Sequence, residues 1–171
     1  MEQAADQAYP ALAELRAQGT IRAVGAGMNS ADALAWLAKR CDLDCVLVAG
    51  RYTLLDQSAA EALFPLCQRR GVAVLAGGVF NSGILAGPVP GARYDYAPAP
   101  PAVLARARLM RDACERYGVP LPAAALQFTL RHPAVTAAVV GVRAPEEIRA
   151  DDGYLSASVP DALLDELAGI T

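Results

Sequence analysis

The sequence has very few of the side chains that most often carry acid–base or metal chemistry. Its 171 residues include a single histidine, His132, and a single lysine, Lys39. The four cysteines form no CxxC pair, and one histidine cannot complete a Cys/His cluster, so the pattern predicts that no metal is bound. Four scattered thiols are typical of proteins in a reducing compartment. We therefore expect a cytoplasmic location.

The sequence also lacks the charge and hydropathy patterns that a nucleic-acid or membrane partner requires. Fifteen Lys and Arg against 18 Asp and Glu leave a formal net charge of −3, and no basic stripe is present. No apolar run approaches the roughly 20 residues of a membrane span. Residues 1–9 lack the charged start and apolar stretch of a signal peptide. With 54% hydrophobic residues, the composition predicts one globular domain over residues 1–171.

What the sequence does contain is a recurring order of strand, loop and helix. Apolar residues at helical spacing follow four short apolar runs, which predict strands at residues 21–26, 45–49, 72–76 and 135–140. Parallel strands need long crossover connections, usually helical, so this order predicts a parallel α/β sheet. Two architectures satisfy it: an open doubly wound sheet, or part of a (β/α)8 barrel. A complete barrel normally needs about 250 residues, so the chain is long enough for half of one.

The helix starts carry their own signals. Ser30 is predicted to cap a helix, and the pattern from Ser58 to Glu61 matches a capping box. Pro122 and Pro145 are predicted in the first turns of two later helices, because proline lacks the N–H group that a helix start leaves unpaired. The proline-rich stretch 77–101 is predicted to be a long irregular loop.

Three long stretches of the chain carry a resemblance to a known family. They read "RAQGTIRAVGAGMNSADAL", "VLVAGRYTLLDQSAAEALFPLCQRRGVAVLAGGVFNSGILAG" and "AALQFTLRHPAVTAAVVGVRAPEEI". In this order they resemble the C-terminal half of an aldo-keto reductase, in the branch of the D-threo-aldose 1-dehydrogenases, which includes L-fucose and galactose dehydrogenases. The resemblance implies the C-terminal half of a (β/α)8 TIM barrel, with four β/α units similar to barrel strands five to eight.

The resemblance also implies an activity, and it implies that the catalytic residues lie outside this chain. Family members are oxidoreductases that use NAD or NADP to oxidise aldose hemiacetals or reduce carbonyls, with a catalytic Tyr supported by Lys, Asp and His. Those four residues lie in the half that has no counterpart here. Lys39 and His132 fall late on helices rather than at strand ends, where barrel chemistry is assembled. Tyr52 and Tyr154 are interpreted as packing or loop residues, so we expect no catalytic residue in this chain.

The loops after the third and fourth strands are the expected cofactor site. The resemblance places Ser82 beside the pyrophosphate, and Glu147 and Asp151 near the ribose or adenine. Arg143 precedes a helix N-terminus, a combination that favours phosphate. The full predicted cofactor-binding set is Asn29, Phe80, Asn81, Ser82, Gly83, Gly141, Arg143, Glu147 and Asp151. The alternative is a glycine-rich turn and a surface arginine that bind nothing.

The first two strand ends depart from the usual family pattern. Most members carry Ser-Asn after strand five and Gln in strand six, which hold the nicotinamide carboxamide. Here Asn29 is the only obvious amide for that contact, and Arg51 is left for the cofactor or the substrate. Gly77 and Gly78 stand where many relatives stack an aromatic residue on the nicotinamide ring.

Three hypotheses remain open from the sequence. The chain is part of a sugar dehydrogenase without catalysis of its own, or a half-barrel that binds a dinucleotide or sugar phosphate as a homodimer, or a small open α/β protein that converged on similar loops. In the first, an aldose binds only when an N-terminal half completes the barrel. A half-barrel leaves two open sheet edges, which predict self-association. The side chains expected to face its interior are Val24, Val46, Val48, Val74, Leu75 and Val139.

Overall fold

Four parallel strands form the central sheet. The structure is a computed structural model and describes residues 1–170. Its strands, in chain order, are β1 (Gly25–Met28), β2 (Cys45–Ala49), β3 (Ala73–Gly77), β4 (Arg93–Tyr94), β5 (Ala97–Pro98) and β6 (Val135–Val139). The sheet has the order β1-β2-β3-β6, and all three of its pairings are parallel. The predicted parallel sheet and its four strands are confirmed.

The first strand lies later in the chain than predicted. The ladder begins where Gly25 pairs with Cys45. Val24, inside the predicted strand 21–26, donates its N–H to the Asp44 carboxylate at 2.6 Å, and its carbonyl accepts the N–H of Asp44. Because a side chain takes this N–H, regular pairing starts only one residue further on.

The described residues also form seven α-helices. They are α1 (Tyr9–Ala17), α2 (Ala31–Arg40), α3 (Leu63–Arg70), α4 (Pro101–Arg116), α5 (Leu121–Arg131), α6 (Pro145–Ser156) and α7 (Asp161–Ala168). The Ser30 hydroxyl accepts the N–H of Ala33, which confirms the predicted cap of α2. Among residues 1–170, no helix is long and apolar enough to cross a membrane.

The predicted capping box at Ser58 is wrong. Ser58 starts a single 3₁₀ turn, and α3 begins only at Leu63, without a side-chain cap. Both the hydroxyl and the backbone N–H of Ser58 donate to the Asp56 carboxylate, at 2.6 and 2.9 Å. The nearby carboxylate therefore takes the groups that a capping box would use, and a local turn replaces the first helical turn.

One face of the sheet packs on helices, and it is not the face that the sequence suggested. Val24, Val46, Val48 and Val74 are buried in a cluster with side chains of α2 and α3. The expectation that these four valines face a barrel interior is wrong. Neighbouring side chains on a strand point to opposite faces, so Leu75 lies on the other face from Val74.

The other face of the sheet is open and lined by small and aliphatic residues. Leu47, Leu75 and Val139 lie on it, and Val139 is 45% exposed. Gly25 lets β1 pack closely against β2, since a Cβ at this position would stand 2.6 Å from Cys45 Sγ. Within the described residues, no strand pairs with the outer edge of β1 or of β6. The sheet therefore keeps an apolar face and two edges without strand partners.

The stretch 77–101 contains more regular structure than predicted. A 3₁₀ turn spans Asn81–Gly83, and β4 and β5 form a short antiparallel hairpin. Asp95 and Tyr96 at the hairpin tip have φ values of +47° and +64°. Two successive left-handed residues are typical of the tight turn that suits the twist of a two-stranded hairpin.

Candidate ligand-binding cleft

A cleft of about 670 Å³ opens where β3 and β6 end. The loop after β3 forms one wall, the loop after β6 and one side of α6 form another, and the tip of the hairpin closes one side. Its lining residues are Gly78, Val79, Phe80, Ser82, Gly83, Ala86, Tyr96, Pro122, Val139, Val140, Gly141, Val142, Arg143, Glu147, Ala150, Asp151 and Tyr154. The carboxyl ends of adjacent parallel strands meet at one edge of a sheet, which is where α/β proteins bind ligands.

Most of the predicted cofactor-binding residues come together in this cleft. Asn81 is buried beneath the loop rather than in its wall, and Asn29 follows β1, away from the cleft. The residues that do line it are Phe80, Ser82, Gly83, Gly141, Arg143, Glu147 and Asp151. The structure shows that these seven residues line one cleft. Their contact with a cofactor stays a prediction.

The loop after β3 holds an unusual backbone conformation. Asn81 and Ser82 have φ values of +44° and +59°, a region that non-glycine residues adopt only at an energetic cost. The Asn81 side chain supports it by donating to the Gly50 carbonyl at 3.3 Å. The Ser82 hydroxyl accepts the N–H of Tyr96 at 3.1 Å. Because Ser82 uses its oxygen as an acceptor, its own proton remains to be donated into the cleft.

The backbone N–H groups of this loop are only partly free. Asn81 donates its N–H to the Gly78 carbonyl, and Gly83 donates to the Phe80 carbonyl, at 2.8 and 2.9 Å. Within residues 1–170, the N–H groups of Phe80 and Ser82 have no such acceptor. Two of the four donors predicted from the sequence are therefore consumed by the turn, and two remain.

Arg143 and Glu147 form a closed unit at the start of α6. The Glu147 carboxylate accepts the backbone N–H of Arg143 at 2.7 Å and its guanidinium Nη2 at 3.1 Å. These contacts, the backbone bond first, lower the pKa of Glu147. The Arg143 side chain is 90% exposed. Glu147 thus ties down the loop before the helix and neutralises the arginine beside it.

Asp151 lies one helical turn beyond Glu147 on the same side of α6. Burial, and then the charge of Glu147, raise its pKa. Within the described residues its side chain has no hydrogen-bond partner in the protein. The lining of the cleft therefore includes two carboxylates and, among residues 1–170, one guanidinium.

Two tyrosines of the cleft were not found from the sequence. Tyr154, interpreted as a packing or loop residue, also lines the cleft. Its spacing of three residues from Asp151 and seven from Glu147 was a usable signal, because such residues share a helix face. Tyr96 comes from the hairpin tip in the proline-rich stretch, where no periodicity pointed to it. Its side chain is highly exposed.

Arg51 is engaged within the protein rather than held ready for a ligand. Its Nε donates to the Asn29 carbonyl at 2.7 Å, Nη1 to Asp56 at 3.1 Å and Nη2 to Asp95 at 2.6 Å. The contact with Asp95 ties the hairpin, and with it Tyr96, to the end of β2. Contact of Arg51 with a cofactor or substrate stays a prediction, and it requires some of these bonds to be replaced.

The lone lysine and histidine lie away from the cleft. Lys39 is exposed at the end of α2, and His132 follows the last residue of α5, as the sequence predicted. The imidazole packs against the rings of Tyr52 and Phe64, and its Nδ1 accepts the N–H of Ala134. Burial lowers the pKa of His132 and raises that of Tyr52. In residues 1–170, no group of three His, Cys, Asp or Glu side chains is placed to hold a metal ion.

Nearly all of the described chain matches one protein family. The profile of the aldo/keto reductase family aligns with residues 2–170. The chain belongs to the aldo/keto reductase family. Among curated aldo/keto reductase relatives, the chain is 48% identical over 154 residues to pyridoxal 4-dehydrogenase of Microbacterium luteolum, covering 90% of this chain and 45% of that protein. It is 40% identical over 163 residues to D-threo-aldose 1-dehydrogenase of a Pseudomonas species, covering 94% and 50%.

Solved structures confirm the fold class. The apo form of aldo-keto reductase AKR11C1 from Bacillus halodurans superposes with a TM-score of 0.78 at 24% identity, over 97% of this chain and 56% of that one. Its holo form gives a TM-score of 0.75 at 26% identity, over 97% and 57%. The chain spans about half the length of the curated relatives it matches. The sheet and helices thus correspond to part of a (β/α)8 barrel.

Proposed function

We propose that this chain supplies the cofactor-binding part of a nicotinamide-dependent oxidoreductase that acts on an aldose or a related aldehyde. The observation that carries the proposal is the cleft at the carboxyl ends of β3 and β6. There a serine hydroxyl, free N–H groups and an arginine beside a helix N-terminus converge. That set of donors is suited to a pyrophosphate.

The cleft fits part of a dinucleotide. Its volume of about 670 Å³ lies within the range of small-molecule sites, about 300–1,000 Å³. The pyrophosphate lies beside Ser82 and Arg143, and the adenosine extends along α6 towards Asp151 and Tyr154. When bound, the nicotinamide ring accepts or donates the hydride. The residues of this chain bind the dinucleotide, orient it and keep water from one of its sides.

The substrate class follows from the relatives. Two of them are named for dehydrogenase activity on pyridoxal and on D-threo-aldoses. Both compounds carry an aldehyde that closes to a cyclic hemiacetal with a hydroxyl of the same molecule. We propose a substrate of that type, bound only when further barrel strands complete the pocket, and a cytoplasmic location for the enzyme.

We propose that the acid or base that transfers the proton in this reaction is not a residue of this chain. Such transfer needs an acid or base within hydrogen-bond reach of the substrate. Lys39 is on the solvent side of α2, and His132 is held among aromatic rings by α5. Neither residue lines the cleft. We expect the purified chain to show no dehydrogenase activity on aldoses with either nicotinamide.

Titration of the purified chain with NADH and NADPH, followed by nicotinamide fluorescence, tests the proposal. We expect weak saturable binding, which Arg143→Ala weakens by about 1 kcal/mol, or about fivefold, because an exposed guanidinium keeps only part of a charged hydrogen bond. Arg149→Ala is the matched control, since Arg149 lies on the same helix, pairs with Glu146 and stays outside the cleft. Titration curves unchanged by Arg143→Ala remove Arg143 from the site, and absence of saturable binding refutes the proposal.

A second candidate function is supported by the open face of the sheet. Leu47, Leu75 and Val139 present apolar surface between two unpaired edges, and such edges are templates for association. Two copies related by a two-fold axis could place β6 of each beside β1 of the other. In this alternative the chain is a non-catalytic half-barrel that binds a dinucleotide or sugar phosphate as a homodimer. Sedimentation of the chain tests this alternative, because the alternative requires a homodimer.

A further inference from the structure

We propose that the junction between α5 and β6 is an acid-sensitive joint, in which protonation of His132 releases the start of β6. The joint comprises residues 131–135. The inference is carried by the hydrogen bonds that His132 makes and by the rings that enclose its imidazole. It goes beyond the proposed function, because it holds whichever ligand the cleft binds.

The chain enters β6 through two backbone N–H groups, and both are donated to His132. Pro133, which comes first, has no N–H group. Ala134 donates to the imidazole Nδ1 at 3.1 Å, and Val135 donates to the backbone carbonyl of His132 at 2.9 Å. Because Ala134 is buried, the loss of its acceptor leaves an unpaired N–H group, which destabilises the joint.

The imidazole can accept this hydrogen bond only while it is neutral. A neutral imidazole carries its proton on one nitrogen and accepts with the other, so acceptance at Nδ1 places the proton on Nε2. Acid adds the second proton at Nδ1. The charged ring has two donors and no acceptor, and its new N–H then faces the N–H of Ala134. Protonation therefore replaces a hydrogen bond with a repulsive contact.

In the described residues, the groups around the imidazole offer no ionic partner to its charged form. Tyr52, from the loop after β2, and Phe64, from α3, pack against it with ring centroids 4.9 and 4.8 Å away. Burial raises the pKa of Tyr52, so its hydroxyl stays neutral, and burial also lowers the pKa of His132. The neighbouring cation, Arg131, is paired with Asp161 at the start of α7. The surroundings thus favour the neutral ring.

The start of β6 is irregularly paired, so it can open by itself. The register of β3 and β6 shifts between Val74 and Leu75, and the N–H of Val74 donates to the Thr136 hydroxyl at 3.2 Å. In the part of the chain that the structure describes, no strand covers the outer edge of β6. Such a segment opens at a lower free energy than the whole fold. Val139, the last residue of this short strand, lines the cleft, so release of β6 loosens a cleft wall.

The unaltered chain tests the inference directly, because His132 is its only histidine and gives a single set of imidazole signals in proton NMR. We expect these signals to titrate with a midpoint below 6.5, the ordinary value for histidine. The stability that the neutral ring contributes is present above the unfolded-state pKa of about 6.5 and is lost as the pH falls towards the lower pKa of the folded state. A midpoint at or above 6.5, as expected if the two rings attract the charged imidazole, overturns the inference.

Amide exchange measures the release of β6. We expect protection factors of its N–H groups to be about fivefold lower at about pH 5.5 than at about pH 7.5, the change expected for one lost hydrogen bond. Equal protection at both pH values overturns the inference.

Two substitutions separate the hydrogen bond from the packing of the ring. His132→Asn keeps an acceptor for the N–H two residues on but does not titrate, so protection of β6 should be the same at both pH values. His132→Phe keeps an aromatic ring without the acceptor, so protection should already be about fivefold lower at about pH 7.5. A pH response that persists in His132→Asn, or unchanged protection in His132→Phe, overturns the inference. The titration of the unaltered chain decides whether or not either variant folds.

Discussion

The open face of the sheet gives a sharp test of the homodimer alternative through Leu75. This side chain lies in the middle of the face, next to Leu47 and beside Gly77, where a second half-barrel would cover it. Leu75→Lys replaces an aliphatic group with an ammonium that has no acidic neighbour on the open face. Covering that charge costs about 2 kcal/mol or more per copy, counting the lost apolar burial and the desolvation of the lysine.

In a dimer with a two-fold axis, both copies place the substituted residue in the interface. The expected loss is roughly 4 kcal/mol per dimer, or about a thousandfold in the dissociation constant. Sedimentation velocity over a range of concentrations measures it, with circular dichroism to check that the variant is folded. Leu109→Lys, at an exposed position on the outer side of α4, is the matched control and should leave association unchanged. If the unaltered chain sediments as a folded monomer at every concentration, the homodimer alternative is wrong.

Two predictions concern the stability of the fold itself. Ser30→Ala removes the hydroxyl that accepts the Ala33 N–H, and should lower the free energy of unfolding by about 1 kcal/mol in denaturant titrations. Ser30→Asp should retain most of this stabilisation, because a carboxylate can also accept the N–H. Asp44 accepts the Val24 N–H and pairs with Arg16, and these two contacts lower the pKa of Asp44. Its carboxylate therefore stabilises the fold at pH values above the unfolded-state pKa of about 3.9, and this stabilisation is lost as the pH falls through the lower pKa of the folded state. Asp44→Asn should flatten the acid branch of a plot of stability against pH, and an unchanged acid branch would contradict this role.

Local sequence determined much of the architecture. Each strand of the central sheet overlaps a short apolar run, and apolar residues at helical spacing follow it, so the parallel order could be predicted without any long-range contact. The same logic found the cleft. The residues after the third and fourth strands had to meet, because the carboxyl ends of neighbouring parallel strands lie at one edge of the sheet. Arg143 was identified from its place before a predicted helix N-terminus, whereas Ser82, Glu147 and Asp151 came from the family resemblance.

Contacts between distant parts of the chain decided the rest. Arg51 meets Asp95, 44 residues away, and this pair fixes the hairpin that brings Tyr96 to the cleft. No local pattern encodes such a pair, because its energy depends on two loops that are close only after the sheet has formed. Which face of the sheet the helices cover was likewise settled by packing. The strand pattern alternates between Val74 and Leu75, but only contact with α2 and α3 determines which of the two is buried.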